Sequence, residues 1–267
     1  MNEQPLQALV DAADAYEALF VPALFAQWAP RVADAARLRR GESVLDVACG
    51  TGVLAREAAA RTGTDGRVVG LDPNPGMRAV AGRIAPAVEW REGIAESLPF
   101  AEHTFDSVVS QFGLMFFRDR ERALGEMMRV LRPGGRLAVA VWDSLERMPA
   151  FAREAELLEQ HAGRAAADAL RAPFVLGDRA ELSALFARAG VIGAEITTLG
   201  GRARFPSIRT LVGADLRGWL PVMGVSLTED RIDRVLEASN DALAPWATGD
   251  GAAEFELSAH IVTARAP

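Results

Sequence analysis

Lysine is missing from this 267-residue chain, and every one of its 29 Lys+Arg positions is arginine. Three histidines, one cysteine and one tyrosine complete a short list of groups suited to acid–base or nucleophilic work. A Schiff-base or pyridoxal enzyme needs a lysine amine and is excluded. A Walker A loop and a protein kinase each need a phosphate-holding lysine and are excluded too. The few Cys and His leave too small a ligand set for a multi-residue zinc site, so no metal is expected. One cysteine cannot form a disulfide within the chain, which points to a reducing interior. The net charge of −7 argues against a nucleic-acid partner, which would need a basic surface. The N-terminal stretch carries acids and no basic segment, unlike a secretory signal. The longest apolar runs, such as Leu137 to Trp142, fall far short of a membrane span. A cytoplasmic protein with no membrane partner is therefore expected. Its oligomeric state is not legible.

What is present is a globular composition, 50% hydrophobic and 24% charged. The length suits one large α/β domain with an elaboration, or two small domains. Residues 6–38 read as helical, punctuated by Pro22 and Pro30. From Ser43 the pattern alternates. Strands are predicted at 43–48, 67–71, 87–91, 105–110 and 136–142, with helices at 53–61, 76–84 and 118–131 between them. Arg132-Pro133-Gly134-Gly135 reads as a helix stop and turn. Near-continuous apolar strands alternating with helices indicate a parallel sheet covered on both faces. Beyond Asp143 a long helix is expected over 151–170. Asp178 caps a helix over 179–189 that Gly190 closes, and strands follow at 194–205 and 254–265. The fold class is α/β: a Rossmann-like, seven-stranded, mostly parallel sheet with helices on both faces. The expected segments are an N-terminal helical lid (1–40), a ligand-binding core (41–143) and the rest of the sheet (144–267), with a helical cap insert at about 206–247.

In an open α/β sheet, ligands bind outside the carboxyl ends of the strands. The first strand and turn read Asp46-Val47-Ala48-Cys49-Gly50-Thr51-Gly52, and the second strand ends in Asp72, twenty residues after Gly52. Gly50 and Gly52 permit a tight turn and close backbone approach to a ligand. A carboxylate at Asp72 can accept from both hydroxyls of a ribose. These features are shared with dinucleotide folds, and Gly50-x-Gly52-x-x-Ala55 fits a loose dinucleotide fingerprint. Asp46 discriminates, because a carboxylate there would repel a pyrophosphate and suit an ammonium or a sulfonium. Alternatively, Asp46 braces a loop and Asp72 caps the next helix.

Five segments, VLDVACGTG (44–52), VVGLDPNPGM (68–77), EGIAESLPF (92–100), FDSVVSQFGLMFF (105–117) and LRPGGRLAVAVW (131–142), occur in this order. With them the sequence resembles the class I S-adenosylmethionine-dependent methyltransferases, in the branch that includes ubiquinone and menaquinone biosynthesis methyltransferases. The resemblance covers about 100 residues, and the later strands and insert match only in layout. It implies S-adenosylmethionine as cofactor, S-adenosylhomocysteine as product and a small-molecule methyl acceptor. Asp46, Gly50 and Gly52 would hold the methionine moiety and Asp72 the ribose. Pro73 and Met77 would pack on adenine, and Ile94 and Ala95 would border it. Gln111 would lie near the transferred methyl, and Tyr16 would point in from the lid. Family members commonly carry an aspartate where this chain has Ile94; either a backbone carbonyl or Glu96 would then serve the adenine amino group, or adenine would be held mainly by packing. No catalytic base is identified; His103, His260 and Tyr16 are the candidates, and His161 is expected to be exposed. Phe116, Trp219 and Met223 are expected to wall the acceptor pocket. The rival readings are an NAD(P)-dependent Rossmann oxidoreductase and a non-catalytic cofactor-binding regulator.

Overall fold

The computed structural model describes residues 6–267. Seven strands form one sheet in the order β3-β2-β1-β4-β5-β7-β6. Here β1 is Ser43–Val47, β2 Arg67–Leu71, β3 Glu89–Arg91, β4 Phe105–Gln111, β5 Leu131–Trp142, β6 Glu195–Phe205 and β7 Ala253–Arg265. Strands β1 to β5 pair in parallel, with Val44 opposite both Val68 and Ser107. Strand β7 runs antiparallel to β5, since Gly134 N–H donates to Ala266 O and Asp143 N–H to Ser258 O. The strand order therefore reverses between β1 and β4, where a ligand site belongs.

The chain packs as two compact units. The first comprises the described residues up to Val141 together with Asp178–Leu199 and His260–Pro267. The second comprises Trp142–Gly177 and Gly200–Ala259. This division differs from the three expected segments. The N-terminal helices pack into the same unit as strands β1 to β4, and the cap insert shares its unit with residues 142–177.

In the first unit, α1 (Leu6–Phe20) runs into a π-helical turn (Val21–Phe25), a 3-10 turn (Ala26–Trp28) and α2 (Ala29–Ala35). The prolines at 22 and 30 thus sit at first-turn positions, where a missing N–H costs nothing. Helix α3 (Val53–Thr62) follows the glycine turn, and α4 (Pro75–Ile84) is capped by Asn74, whose side chain accepts from Gly76 and Met77 N–H. Asn74, not Asp72, is the cap. Helix α5 (Arg120–Val130) starts at Asp119, whose carboxylate accepts from Arg122 N–H. The turn expected at 132–135 is instead the start of β5, irregular in its ladder to β4, where the register shifts between Phe105 and Ser107. Leu45, Leu71, Phe105, Leu114, Leu124, Met127 and Leu137 are fully buried, and each contributes about 1.5–3 kcal/mol of transfer free energy.

In the second unit, the single helix expected at 151–170 is broken into α6 (Pro149–His161) and α7 (Arg164–Arg171) by Gly163, at φ +94°. In the first unit, α8 (Arg179–Arg188) has the expected Asp178 cap, which accepts from Ala180 and Glu181 N–H. The insert of the second unit holds α9 (Ile208–Ala214), a π-helical turn (Asp215–Trp219), the short α10 (Leu220–Val222) and α11 (Glu229–Ala242). Phe151 packs against Phe174 and Phe255 with ring centroids 5.4 and 5.2 Å apart.

Candidate active site

The carboxyl ends of β1 and β4 are strained. Ala48 and Phe112, each just past its strand, sit at φ +58° and +56°, a region costly for residues with a Cβ. A Cβ on Gly113 would come within 2.7 Å of the Ala48 Cβ, so the two strand ends touch there. Gly50 and Gly52 take φ +56° and +87°, the backbone that the turn requires. A Cβ on Gly52 would lie 2.3 Å from the Trp90 ring, which therefore forms the floor of the turn. Trp90 is held in turn by its indole N–H, which donates to Ala85 O at 3.0 Å.

Two acids flank this turn. Asp46 is 1% exposed, and neither of its carboxylate oxygens has a hydrogen-bond partner. Burial pushes its carboxyl well above the usual carboxylate range and the charge of Asp72 adds to the rise, while the nearby Ala55 backbone amide works against it. A buried carboxylate with no partner is expensive unless a cation compensates it. Asp72 is anchored: one oxygen accepts from Gly50 N–H at 2.9 Å and the other from Asn74 N–H at 2.8 Å. Burial raises it, while those two amides and Arg78 lower it. A carboxylate has about four acceptor positions, so Asp72 can still receive two hydroxyls. The capping reading of Asp72 does not hold, because Asn74 caps the next helix and Asp72 orders the turn. Cys49 is buried, and burial together with Asp46 and Asp72 raises its thiol against the smaller opposing pull of Arg78, which disfavours a thiolate.

The lid side comes from α1 and the turn after it. Tyr16 lies between Phe20 and Phe25, with centroids 5.9 and 5.4 Å away. Burial, Asp72 and Glu17 all push its phenol up, so it stays protonated and acts as a donor, not as a base. A Cβ on Gly76 would meet Leu9 O at 2.2 Å, so α1 lies directly on the start of α4. Asp14 of α1 pairs with Arg83 of α4. Gln111 donates its side-chain N–H to Phe25 O at 3.2 Å, and its buried amide oxygen has no partner. The buried Thr51 and Ser110 hydroxyls likewise have none.

On the expected adenine side, Pro73 is exposed, Met77 and Asn74 are half-buried, and Ala95 is buried. Ile94 is 50% exposed. Glu96, expected as one stand-in for the absent aspartate, is already engaged through one oxygen. That oxygen accepts from Arg118 and Asp119 N–H at 2.8 and 3.3 Å, committing it to the entry of α5.

The three histidines lie elsewhere. His103 precedes β4 at its amino end, its ring nitrogen 3.0 Å from Leu131 O. The seven residues of β4 then separate it from Gln111 by about 20 Å of strand. His161 is exposed at the end of α6. His260 is 1% exposed on β7, its ring nitrogen 2.8 Å from the Thr198 hydroxyl on β6. It is not at the sheet edge, because β6 is the outer strand. Phe116 is 43% exposed, close in sequence to Gln111. Trp219 and Met223 belong to the second unit, where the Trp219 indole donates to Ala169 O at 2.9 Å. Among the described residues no group of three His, Cys, Asp or Glu is arranged to hold a metal. A cavity of about 390 Å³ lined by Arg37, Arg136, Glu195 and Arg265 lies at the amino end of β5, away from the turn.

Sequence reasoning missed Glu17, Arg56 and Trp90. None sits in a motif, and each reaches the turn only through the fold. Trp90 faces Gly70 on the neighbouring strand, where a Cβ would also collide with it.

A parallel sheet reversing between β1 and β4, with a glycine turn and two buried acids at that point, defines a Rossmann-like α/β domain. Part of this domain is similar to known proteins. Residues 45–139 match the family model described as Methyltransferase domain. The 2-phytyl-1,4-naphtoquinone methyltransferase of Thermosynechococcus vestitus is 42% identical over 115 residues, 42% of this chain and 51% of that protein. The ubiquinone/menaquinone biosynthesis C-methyltransferase UbiE of Klebsiella pneumoniae is 42% identical over 118 residues, 42% of this chain and 47% of its own length. The match thus spans about half the length of these curated relatives. Phosphoethanolamine N-methyltransferase 2 of Haemonchus contortus, solved with S-adenosyl-L-methionine, superimposes with a TM-score of 0.60 at 17% identity, over 100% of this chain and 61% of that one. Residues 45–139 are thus similar to a methyltransferase domain, and the fold around them is one that methyltransferases of known structure share. The orphaned Asp46 carboxylate, the anchored Asp72 and the aromatic lid fit S-adenosylmethionine.

Proposed function

We propose that this chain transfers the methyl group of S-adenosylmethionine to an O, N or C atom of a small-molecule acceptor by in-line displacement. The observation that carries this reading is Asp46, a buried carboxylate with no partner at the carboxyl end of β1. Its charge favours a cationic ligand and opposes a dinucleotide pyrophosphate. Bound there, S-adenosylmethionine would supply a methyl carbon already activated by a sulfonium. The chain's own groups orient it. Asp46 provides the countercharge, Asp72 accepts ribose hydroxyls, and Tyr16 donates a hydrogen bond from the lid. Proximity and orientation lower such a barrier by about 7–11 kcal/mol, so no strong base is required. The low reactivity of Cys49 and the remoteness of His103 are consistent with that.

The names of the matched relatives make hydroquinones and naphthoquinols the first acceptors to assay. The reading also places the protein in the cytoplasm, supported by a single buried cysteine and by the lack, among the described residues, of a helix long and apolar enough to cross a membrane. Calorimetry with S-adenosylhomocysteine and with NAD tests the cofactor: the former binds and the latter does not. NAD binding without S-adenosylhomocysteine binding would overturn the reading. A labelled-methyl screen over hydroquinones, phenols, amines and acids then identifies the acceptor.

A further inference from the structure

Arg56 lies one turn into α3, directly after the glycine turn. One arm of its guanidinium donates to Thr51 O at 2.7 Å. The other donates to the Glu17 carboxylate at 2.7 Å. The first contact fixes a peptide plane inside the turn. The Thr51 carbonyl is held by Arg56 while the Gly52 N–H on the same plane donates to Cys49 O at 2.9 Å. The second contact reaches α1, next to Tyr16. The pair is about three-quarters buried, with side-chain exposures of 25% and 21%. The other oxygen of Glu17 is buried and has no partner, so Arg56 supplies the hydrogen bond that this carboxylate has. Only an arginine offers two parallel-reaching donors in a rigid fork; a lysine ammonium could serve one site but not both in this geometry.

We propose that Arg56 is a positioning residue that ties the lid helix to the glycine turn, so that the seat of the cofactor and the closure of the lid are set by one group. The role rests on the cofactor reading given above, because the turn and lid are the proposed cofactor site. Release of the bound cofactor then requires the Arg56–Glu17 contact to open. The turn and lid respond together when it is lost.

The test uses the full chain and three variants: Arg56→Met, which keeps the stem and removes the donors, Glu17→Gln, and the double variant. Far-UV circular dichroism selects folded preparations. S-adenosylhomocysteine dissociation, followed by displacement, is expected to quicken about fivefold in each single variant, as for loss of one partly exposed charge-assisted bond. The double variant is expected to be no faster than the faster single one. A second readout needs no ligand. Tyr16 is the only tyrosine in the chain, so phenolate absorbance reports the lid alone. If Arg56 were merely a nearby positive charge, removing it would raise the Tyr16 ionisation further. If it holds the lid, removing it exposes the phenol and brings its ionisation down toward about 10. Unchanged dissociation, additive single effects, or an unmoved or raised Tyr16 titration in folded Arg56→Met would overturn the proposal. If the wild type binds no S-adenosylhomocysteine, the cofactor reading fails, and the Tyr16 titration still decides whether Arg56 holds the lid.

Discussion

Gly52→Ala tests how tightly the turn is fixed to its floor. The new Cβ would fall 2.3 Å from the Trp90 ring, with two further ring carbons at 3.0 and 3.3 Å. Ordinary carbon contact begins near 3.5 Å, so turn and ring must part by about 1 Å. The ring cannot swing freely, since its N–H is bonded to Ala85 O and its face also covers Gly70. Overpacking of this kind costs about 1–3 kcal/mol. The backbone adds to it: Gly52 sits at φ +87°, where a Cβ costs about 1–2 kcal/mol. Together the substitution is expected to destabilise by about 2–5 kcal/mol, lowering the unfolding midpoint by about 5–15 °C in a chain of this size. Differential scanning calorimetry measures that, and titration with S-adenosylhomocysteine is expected to show at least about tenfold weaker binding as the turn lifts. Adding Trp90→Leu should recover the steric share of the loss but not the backbone share. If Gly52→Ala melts within about 1 °C of wild type, or if Trp90→Leu fails to relieve any of its cost, the ring does not support the turn.

Asp46→Asn keeps shape and removes charge. It is expected to weaken S-adenosylmethionine more than S-adenosylhomocysteine, because only the former carries the sulfonium charge; equal losses in calorimetry would disconnect Asp46 from that charge. The same variant is expected to raise stability above neutral pH. A carboxyl whose folded value is raised binds more protons folded than unfolded, so stability falls as pH climbs. Asp72→Ala, which frees Gly50 and Asn74 N–H as well as the diol acceptor, should weaken S-adenosylhomocysteine by at least about tenfold; unchanged affinity would remove Asp72 from the site. In the second unit, burial pushes Asp215 up to about 7 and raises its neighbour Glu154, so melting midpoints should fall as pH rises through that range. Glu154→Gln should flatten the dependence, and a profile as steep as that of the wild type would contradict it.

The sheet and its cofactor end were legible because their signals are local. Apolar strands, the paired glycines and the spacing from Gly52 to Asp72 sit in contiguous sequence, and strands β1, β2 and β4 fall within a residue or two of expectation. The Asp178 cap was legible for the same reason. What escaped was set by contacts between distant segments. Glu96 meets the backbone of Arg118 and Asp119 across 22 and 23 residues, and Glu17 meets Arg56 across 39 residues. The break at Gly163 escaped because the alanines around it favour helix so strongly. The compact units escaped because each is built from separated stretches of chain that return through β6 and β7.

Ala48 and Phe112 end the two central strands in a conformation that glycine would adopt without penalty. Holding both there sets aside about 2–4 kcal/mol, a sizeable part of the whole stability of a typical domain. That energy is a deformation kept ready at the mouth of the sheet. Any ligand contact that lets either residue relax would recover some of it as affinity, and the bound form would then be the less strained of the two.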